Sequence, residues 1–356
     1  MLNSNFRSIV LNSTPLIDVR APAEFEKGSF PHSVNLPLIN DKQRHEIGVC
    51  YKKLGNTEAL KLGHKLINGE VKEKRVKAWS DFIKVNSDAK LFCFRGGQRS
   101  KISQEWLSQL GYDIERFKGG YKAFRNYLLN EIEESCNHFK PIIIGGHTGS
   151  GKTILLKKLE NSIDLESLAN HRGSSFGKKT TPQPSQINFE NDMAYELIKK
   201  LDRGFKYLVF EDEGKHIGRV YIPNIFAEYL SKAPLIILET PMIQRVDITF
   251  VEYVLEAQKL YKNNIEQWSD VILGAMHRIR RRLGGQRYKL LCEIFDNALD
   301  EQIQRGSMDA HKEWIELLLS EYYDPMYNYQ IQKRCQQVEF RGSAEEIFEY
   351  LSKYDT

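Results

Sequence analysis

Nowhere does the chain hold an uncharged apolar run approaching ~18 residues. Its first residues, M-L-N-S-N-F-R-S-I-V, lack the long apolar core of an export signal. No membrane partner and a cytoplasmic location are therefore expected. Cysteine is scarce and unpatterned: Cys50, Cys93, Cys136, Cys292 and Cys335 make an odd number with no C-x-x-C pair. That argues against a disulfide framework and against a zinc ribbon. A large charge excess is missing as well, since a formal +4 is too mild to establish a nucleic-acid partner unless the bases cluster. What remains is ordinary, with 41% hydrophobic and 28% charged residues over 356 positions. That length predicts two or three domains, because single cores rarely grow past ~250–300 residues.

Against that background one stretch stands out. Ile142 to Thr153 reads I-I-I-G-G-H-T-G-S-G-K-T. Gly146, Gly151, Lys152 and Thr153 satisfy G-x-x-x-x-G-K-[ST], between an apolar strand and an I-L-L-K-K-L helix start. Such a turn points backbone N–H groups, here from Gly146, Thr148, Gly149, Ser150 and Gly151, into one concavity, and the helix N-terminus adds partial positive charge. Lys152 reaches terminal phosphate oxygens, and the Thr153 hydroxyl is placed to ligate magnesium. The pattern names phosphate; nucleoside triphosphate is only its default occupant.

A second strand, loop and helix lies earlier. Leu91-Phe92-Cys93-Phe94 runs into R-G-G-Q-R-S and a helical pattern from Ile102 to Leu110. A cysteine at that strand end is surrounded by backbone N–H groups of Arg95, Gly96, Gly97 and the residues through Ser100, with Arg99 adding a full charge. These are conditions for a thiolate nucleophile. The C-x5-R spacing from Cys93 to Arg99 leaves room for a tetrahedral oxyanion above the sulfur. Phosphoryl transfer to Cys93 and chalcogen transfer through a persulfide or its selenium analogue both remain open.

D-V-R-A-P-A-E-F-E-K-G-S-F-P-H-S-V-N-L-P at Asp18 to Pro37, the Cys93 loop, and G-G-Y-K-A-F at Gly119 to Phe124 resemble the signatures of a rhodanese domain over roughly the first 130 residues. The loop is one residue longer than in the sulfurtransferases of that family, which favours a substrate carrying phosphorus. Between the two strands, the polar stretch Asp41 to Lys77 reads as solvated helix surface.

Three apolar strands alternate with helical segments after residue 136, so a doubly wound parallel sheet is expected with its ligand at the strands' carboxyl ends. Tyr207-Leu208-Val209-Phe210 ends in Glu211 and Asp212, the acids placed to organise magnesium beside the P-loop. The long polar loop holding Asn170, His171, Arg172 and Ser174 reads as functional. The fold class is α/β, with domains at 1–135, 136–245 and a helical, basic region at 246–356 that shows no further parallel strand. Asp270 to Glu293 has no acid between its ends but carries Arg278, Arg280, Arg281, Arg282, Arg287 and Lys289, the density that phosphate-backbone contact requires. Tyr322-Tyr323-Asp324-Pro325-Met326-Tyr327 clusters aromatics that either stack on bases or pack a helix end.

Taken together, C-F-R-G-G-Q-R-S, G-G-H-T-G-S-G-K-T, L-A-N-H-R-G-S-S-F-G, P-Q-P-S-Q-I-N-F-E-N, F-E-D-E-G, R-L-G-G-Q-R and Y-Y-D-P-M-Y resemble the bacterial tRNA 2-selenouridine synthases along almost the whole chain. The resemblance implies conversion of wobble 2-thiouridine, in the anticodon region of tRNA, to 2-selenouridine through an S-geranylated intermediate. It implies geranyl diphosphate and selenophosphate as co-substrates rather than tightly bound cofactors, with a selenophosphate synthase supplying the latter. His147 stands where Asn is commoner in the family, and Gly214 where Ser is. The competing readings are an ATP-dependent tRNA sulfurtransferase using a Cys93 persulfide, a non-catalytic nucleotide-gated tRNA-binding protein, and a C-x5-R phosphatase.

Overall fold

The computed structural model describes residues 2–172, 174, 176, 177, 180–333 and 338–355. The chain divides into two units, residues 1–137 with 184–204, and residues 138–183 with 205–356. Among the described residues no helix is long and apolar enough to cross a membrane.

The first unit is built on a parallel sheet of β1 (Leu16–Asp18), β2 (Ser33–Asn35), β3 (Lys90–Phe92) and β4 (Glu115–Arg116), in the order β2-β1-β3-β4. In this register Asp18 lies opposite Phe92, so the ends of β1 and β3, and the loops that follow them, emerge side by side. One side packs an aromatic cluster of Phe6, Phe30, Phe92, Phe117 and Phe124. The other buries Trp79, Trp106 and Leu107 with Leu91 and Ile17. The helix Gln186–Asp202, inside the stretch set apart above as 136–245, belongs to this unit. It packs on the helix Gly120–Ser135, where Arg125 reaches Asn191 at 2.7 Å and pairs with Glu190.

The second unit has a five-stranded parallel sheet: β5 (Lys140–Gly145), β6 (Ser162–Ile163), β7 (Tyr207–Glu211), β10 (Leu235–Leu238) and β11 (Val338–Gly342). Its order is β11-β10-β5-β7-β6, and a short antiparallel ribbon of β8 (His216–Ile217) and β9 (Val220–Tyr221) follows β7. The P-loop strand β5 is central, buried by neighbours on both sides, as its I-I-I run requires. Two strands were not expected. β6 is two residues long, and β11 reads V-E-F-R-G, alternating as an edge strand does instead of forming an apolar run. The helical stretch beyond residue 246 thus returns a strand to the sheet.

The helices between Met242 and Lys333 close over a core of Trp268, Phe295, Trp314, Met276 and Leu318. Two of their segments, Val251–Leu255 and Leu319–Tyr323, are π-helical turns. Such turns widen a helix locally and concentrate at functional sites. Cys50, Cys93, Cys136 and Cys292 form no disulfide, and Cys335 lies outside the described residues.

Candidate functional site

Between β5 and the helix Lys152–Leu156 the backbone turns through three glycines at positive φ: Gly146 at 154°, Gly149 at 77° and Gly151 at 86°. At Gly149 the need for glycine is steric too, since a Cβ would collide with Thr249 Oγ1 and the Arg245 carbonyl. Lys152 curls over this loop, donating from Nζ to Gly146 O at 2.7 Å and His147 O at 3.3 Å. Those carbonyls hold the ammonium in place where a phosphate oxygen would take it over. The Ser150 Oγ is buried and makes no hydrogen bond among the described residues.

A brace that the sequence did not announce holds the loop. Arg245 is 4% exposed and donates from Nε and Nη2 to Thr148 O, both at 3.0 Å. It also makes a bidentate pair with Asp324, at 2.6 and 2.9 Å. Tyr327 OH accepts the Gly146 N–H, and His147 Nε2 meets Asn328 Oδ1 at 2.9 Å. Asp324 and Tyr327 belong to the Y-Y-D-P-M-Y cluster, so that motif packs against the phosphate loop and buries Tyr322 and Tyr323. Nothing in the sequence around Arg245 marks its role.

The loop opens on a cavity of about 460 Å³. Thr153, Asp212, His171, Arg172 and Ser174, all singled out in the sequence, line it together with Gly146, Thr148, Gly149, Ser150, Gly151 and Lys152. Ser174 Oγ lies 2.8 Å from Tyr253 OH, and Arg172 Nη1 donates to Glu252 O at 3.3 Å. Asn170 instead shapes its own loop. Its φ is 48°, and its side-chain amide bonds Thr181 Oγ1 at 2.8 Å and Pro182 O at 3.1 Å. Glu252 and Tyr253, from the first π turn, and Tyr323, from the second, also face this cavity.

The acids are distributed differently from the expectation built on Glu211 and Asp212. Glu211 is 2% exposed and accepts the Glu166 N–H at 3.0 Å, which fixes the short helix Leu165–Leu168. Glu213, two residues on, lines the cavity with Asp212, Asp164 and Glu166. Carboxylate oxygens of Glu166, Glu211 and Glu213 all lie within 4.8 Å of one another. Burial, with Glu166 beside it, pushes Glu213 up to about 9 against the pull of Lys152. Burial and the same neighbour raise Glu211 well above the carboxylate range. Glu211 and Glu213, both raised by burial and by the Glu166 carboxylate, form with Glu166 an oxygen-only set suited to a hard divalent cation such as magnesium. Glu213 stands inside the quoted F-E-D-E-G, one residue beyond the expected Asp212; Glu166 and Glu252 carried no signal. Gly214 also lines the cavity, and a Cβ there would enter open space.

In the first unit Cys93 follows β3 directly and is 3% exposed. Its thiol donates to Ser100 Oγ at 3.2 Å, and Ser100 Oγ donates to Gly97 O at 3.1 Å. Gly96 takes φ 65°, and Arg116 Nη1 binds its carbonyl at 2.8 Å. The G-G-Y-K-A-F segment closes on this loop: the Tyr121 and Lys122 N–H groups donate to Cys93 O and Phe94 O, both at 2.9 Å. A Cβ on Gly120 would strike Cys93 O and Gly96 N, so that glycine is there for close approach. Arg95 is exposed. Arg99 does not stand as an uncompensated charge, for its guanidinium forks onto Glu24 at 2.5 and 3.2 Å. Burial would raise Glu24, but Arg99 outweighs it and holds the carboxyl below its ordinary value. Beneath, Asp18 and Arg20 form a buried pair at 2.6 Å, with Arg20 also bound to Gly28 O at 2.8 Å and stacked 3.7 Å over Tyr121. The D-V-R and A-E-F parts of one signature therefore position the Cys93 loop.

The basic cluster falls on two consecutive helices, Ile265–Leu283 and Gly285–Arg305. Ile272, Met276, Ile279 and Leu283 turn inward, leaving Arg278, Arg281, Arg282, Arg287 and Lys289 exposed. Arg280 is half-buried and donates to His277 O at 2.8 Å, Arg287 pairs with Glu321 at 2.7 Å, and Lys289 lies 3.8 Å from Glu293.

Comparison with known proteins agrees with both units. A family model described as the tRNA 2-selenouridine synthase AAA domain matches residues 139–356, and the rhodanese-like domain model matches residues 6–127. The chain is 60% identical to a tRNA 2-selenouridine synthase of Sulfurovum sp. strain NBC37-1, over 99% of this chain and 98% of that one. Enzymes of the same name from Hydrogenovibrio crunogenus and Pseudomonas syringae pv. syringae are 47% and 43% identical, each over at least 97% of its own length and 98% of this chain. With an α/β rhodanese-like unit ahead of a P-loop unit, and with relatives matched from end to end, the chain belongs to the tRNA 2-selenouridine synthase family of enzymes.

Proposed function

We propose that this enzyme converts 2-thiouridine at the wobble position of tRNA to 2-selenouridine in two steps, one at each glycine-rich loop. In the first, the 2-thio sulfur attacks C1 of geranyl diphosphate. The C1–O bond breaks, diphosphate departs, and the base loses its N3 proton. In the second, selenium from selenophosphate replaces the geranyl thiol at C2. The C2–S bond is lost as C2–Se forms, and water takes up the phosphoryl group. Alkylation comes first because an S-geranyl group leaves far more readily than a thiocarbonyl sulfur.

The observation that carries the first step is the make-up of the P-loop cavity. Its phosphate cradle stands beside Ile154, Ile248, Tyr253, Tyr323 and Met326, a wall suited to an isoprenoid chain. Lys152 moves from the Gly146 and His147 carbonyls to the diphosphate and stabilises the charge that develops on it. Magnesium, held by Thr153 with Glu166, Glu211 and Glu213, would supply further neutralisation of that leaving group. The Arg245–Asp324 brace keeps the loop's N–H groups aligned. For the second step, the Cys93 sulfur, bonded by Ser100, displaces the geranyl thiol at C2 and is itself displaced by selenium, while the backbone N–H groups of the longer loop, with Arg95, Gly96 and Gly97, receive selenophosphate supplied by a selenophosphate synthase. The exposed arginines from Arg278 to Arg287, with Lys289, hold the tRNA backbone around the anticodon.

Incubating the enzyme with 2-thiouridine tRNA, magnesium and geranyl diphosphate, without ATP, tests this reading. Digestion and mass spectrometry should find S-geranyl-2-thiouridine. A strict requirement for ATP, with no geranylated nucleoside, would transfer the assignment to an ATP-dependent sulfurtransferase.

A further inference from the structure

The first unit contains a cavity of about 850 Å³ beside the Cys93 loop. The Cys93 loop gives it Phe94, Gln98 and Arg99. Leu38, Ile39, Ile67, Ile102 and Trp106 supply apolar walls, and the helical stretch Asp41–Leu66, broken at Gly55 with φ 84°, lies along it. That helix belongs to the stretch read from sequence as solvated surface, yet Ile47, Tyr51, Ala59 and Leu60 line the cavity.

Two glycines in the helix say what the space is for. Gly48 and Gly63 sit in helical turns without positive φ, where each costs about 1 kcal/mol against alanine. Neither is compelled by packing: a Cβ at Gly48 meets nothing within 4 Å, and one at Gly63 makes only an ordinary contact at 3.6 Å with Ile47. Both line the cavity, so their absent side chains leave volume in it. At its edges Lys27, Lys52 and His64 are exposed. Arg44 and Arg99 are there too, but both are paired with Glu24, at 3.2 and 2.5 Å. The interior therefore suits an uncharged chain, while the rim suits a polyanion to which that chain is attached.

We propose that this cavity binds the geranyl chain of S-geranyl-2-thiouridine tRNA, holding the alkylated base at the Cys93 loop for the selenium step. The inference rests on the two-step reading above. Free geranyl diphosphate belongs instead to the P-loop cavity, where Lys152 and the glycine-rich turn serve its diphosphate. The chain acts as a handle: it marks the base as activated and leaves with the sulfur when selenium enters.

The test measures affinity of the full-length protein for an anticodon stem-loop carrying S-geranyl-2-thiouridine against the same RNA carrying S-methyl-2-thiouridine. Wild type should prefer the geranylated RNA by at least tenfold. Gly48→Trp, which fills the cavity from an exposed helix position, should cut that preference to near unity. Tyr51→Ser, at a 58% exposed site where folding is not threatened, should lower it about threefold. An undiminished preference in both variants overturns the inference while leaving the two-step reading intact, provided wild type forms geranylthiouridine from geranyl diphosphate. If wild type forms none, the reading fails and the inference with it. Tighter binding of free geranyl diphosphate than of geranylated RNA to a Lys152→Ala protein, abolished by Gly48→Trp, would also overturn it by making the cavity a donor site.

Discussion

The Cys93 loop and the P-loop use the same backbone device and surround it with opposite electrostatics. Each follows a parallel strand, turns through a positive-φ glycine and enters a helix. Around Cys93 most nearby charges are held in ion pairs, Arg20 with Asp18 and both Arg99 and Arg44 on Glu24. Around Lys152 they are unbalanced: Asp212, Glu213, Glu166 and Asp164 share one cavity, and Glu213 is pushed up to about 9 by burial and Glu166. A loop whose side-chain charges are largely paired suits a soft reacting atom such as sulfur or selenium. A loop whose acids outnumber Lys152, Lys157 and Arg172 suits a cation and the phosphates it bridges. The backbone thus says that a ligand approaches, while the side chains say which kind.

The largest expected effect separates the two loops by reaction. Cys93→Ser should lower selenium incorporation by about 10³-fold or more, with geranylthiouridine accumulating in the digested tRNA. Next, Lys152→Ala should slow geranyl transfer by about 10²–10³-fold, read as the initial rate of geranylthiouridine formation, because a leaving-group cation is removed. The two braces differ in burial, which sets the third comparison. Asp324→Ala strands a buried Arg245 and should cost about 3–5 kcal/mol in urea unfolding. Glu24→Ala releases an Arg99 that is 24% exposed and should cost about 1 kcal/mol.

The smallest effect concerns acid. His311 is buried, accepts a hydrogen bond from Trp314 Nε1 at 2.9 Å, and is lowered by burial to about 4 from 6.5. The unfolded chain takes up this proton below pH 6.5 while the folded chain does not. Stability is therefore complete above 6.5 and lost as pH falls toward about 4. Melting temperatures at pH 7 and pH 5 should differ less for His311→Gln than for wild type.

Much of this was legible in the chain because function compresses into short motifs. G-x-x-x-x-G-K-[ST] and C-x5-R each encode a turn, a helix start and a candidate reactive side chain within eight residues, so the position of both loops was readable from the sequence. That His171, Arg172 and Ser174 line the P-loop cavity fits the same kind of signal, a long polar connection inside a compact unit. What stayed hidden was long-range. Arg245 reads as one polar residue in an amphipathic helix until it reaches Thr148 O and Asp324. Glu166 sits 45 residues from the Glu211 carboxylate that receives its N–H. β11 escaped because an edge strand with one wet face carries no apolar run. The cavity along Asp41–Leu66 escaped because its signal is volume left empty by Gly48 and Gly63, and emptiness has no periodicity.

The central claim, that the two loops perform successive and chemically separate steps, is tested most directly by a bypass. Lys152→Ala and Cys93→Ser proteins are each given tRNA already carrying S-geranyl-2-thiouridine, with selenophosphate, and the nucleosides are quantified by mass spectrometry. The Lys152→Ala protein should form 2-selenouridine at close to the wild-type rate, and the Cys93→Ser protein should form none. Failure of Lys152→Ala to be rescued, or selenouridine from Cys93→Ser, would contradict the division of labour between the two loops.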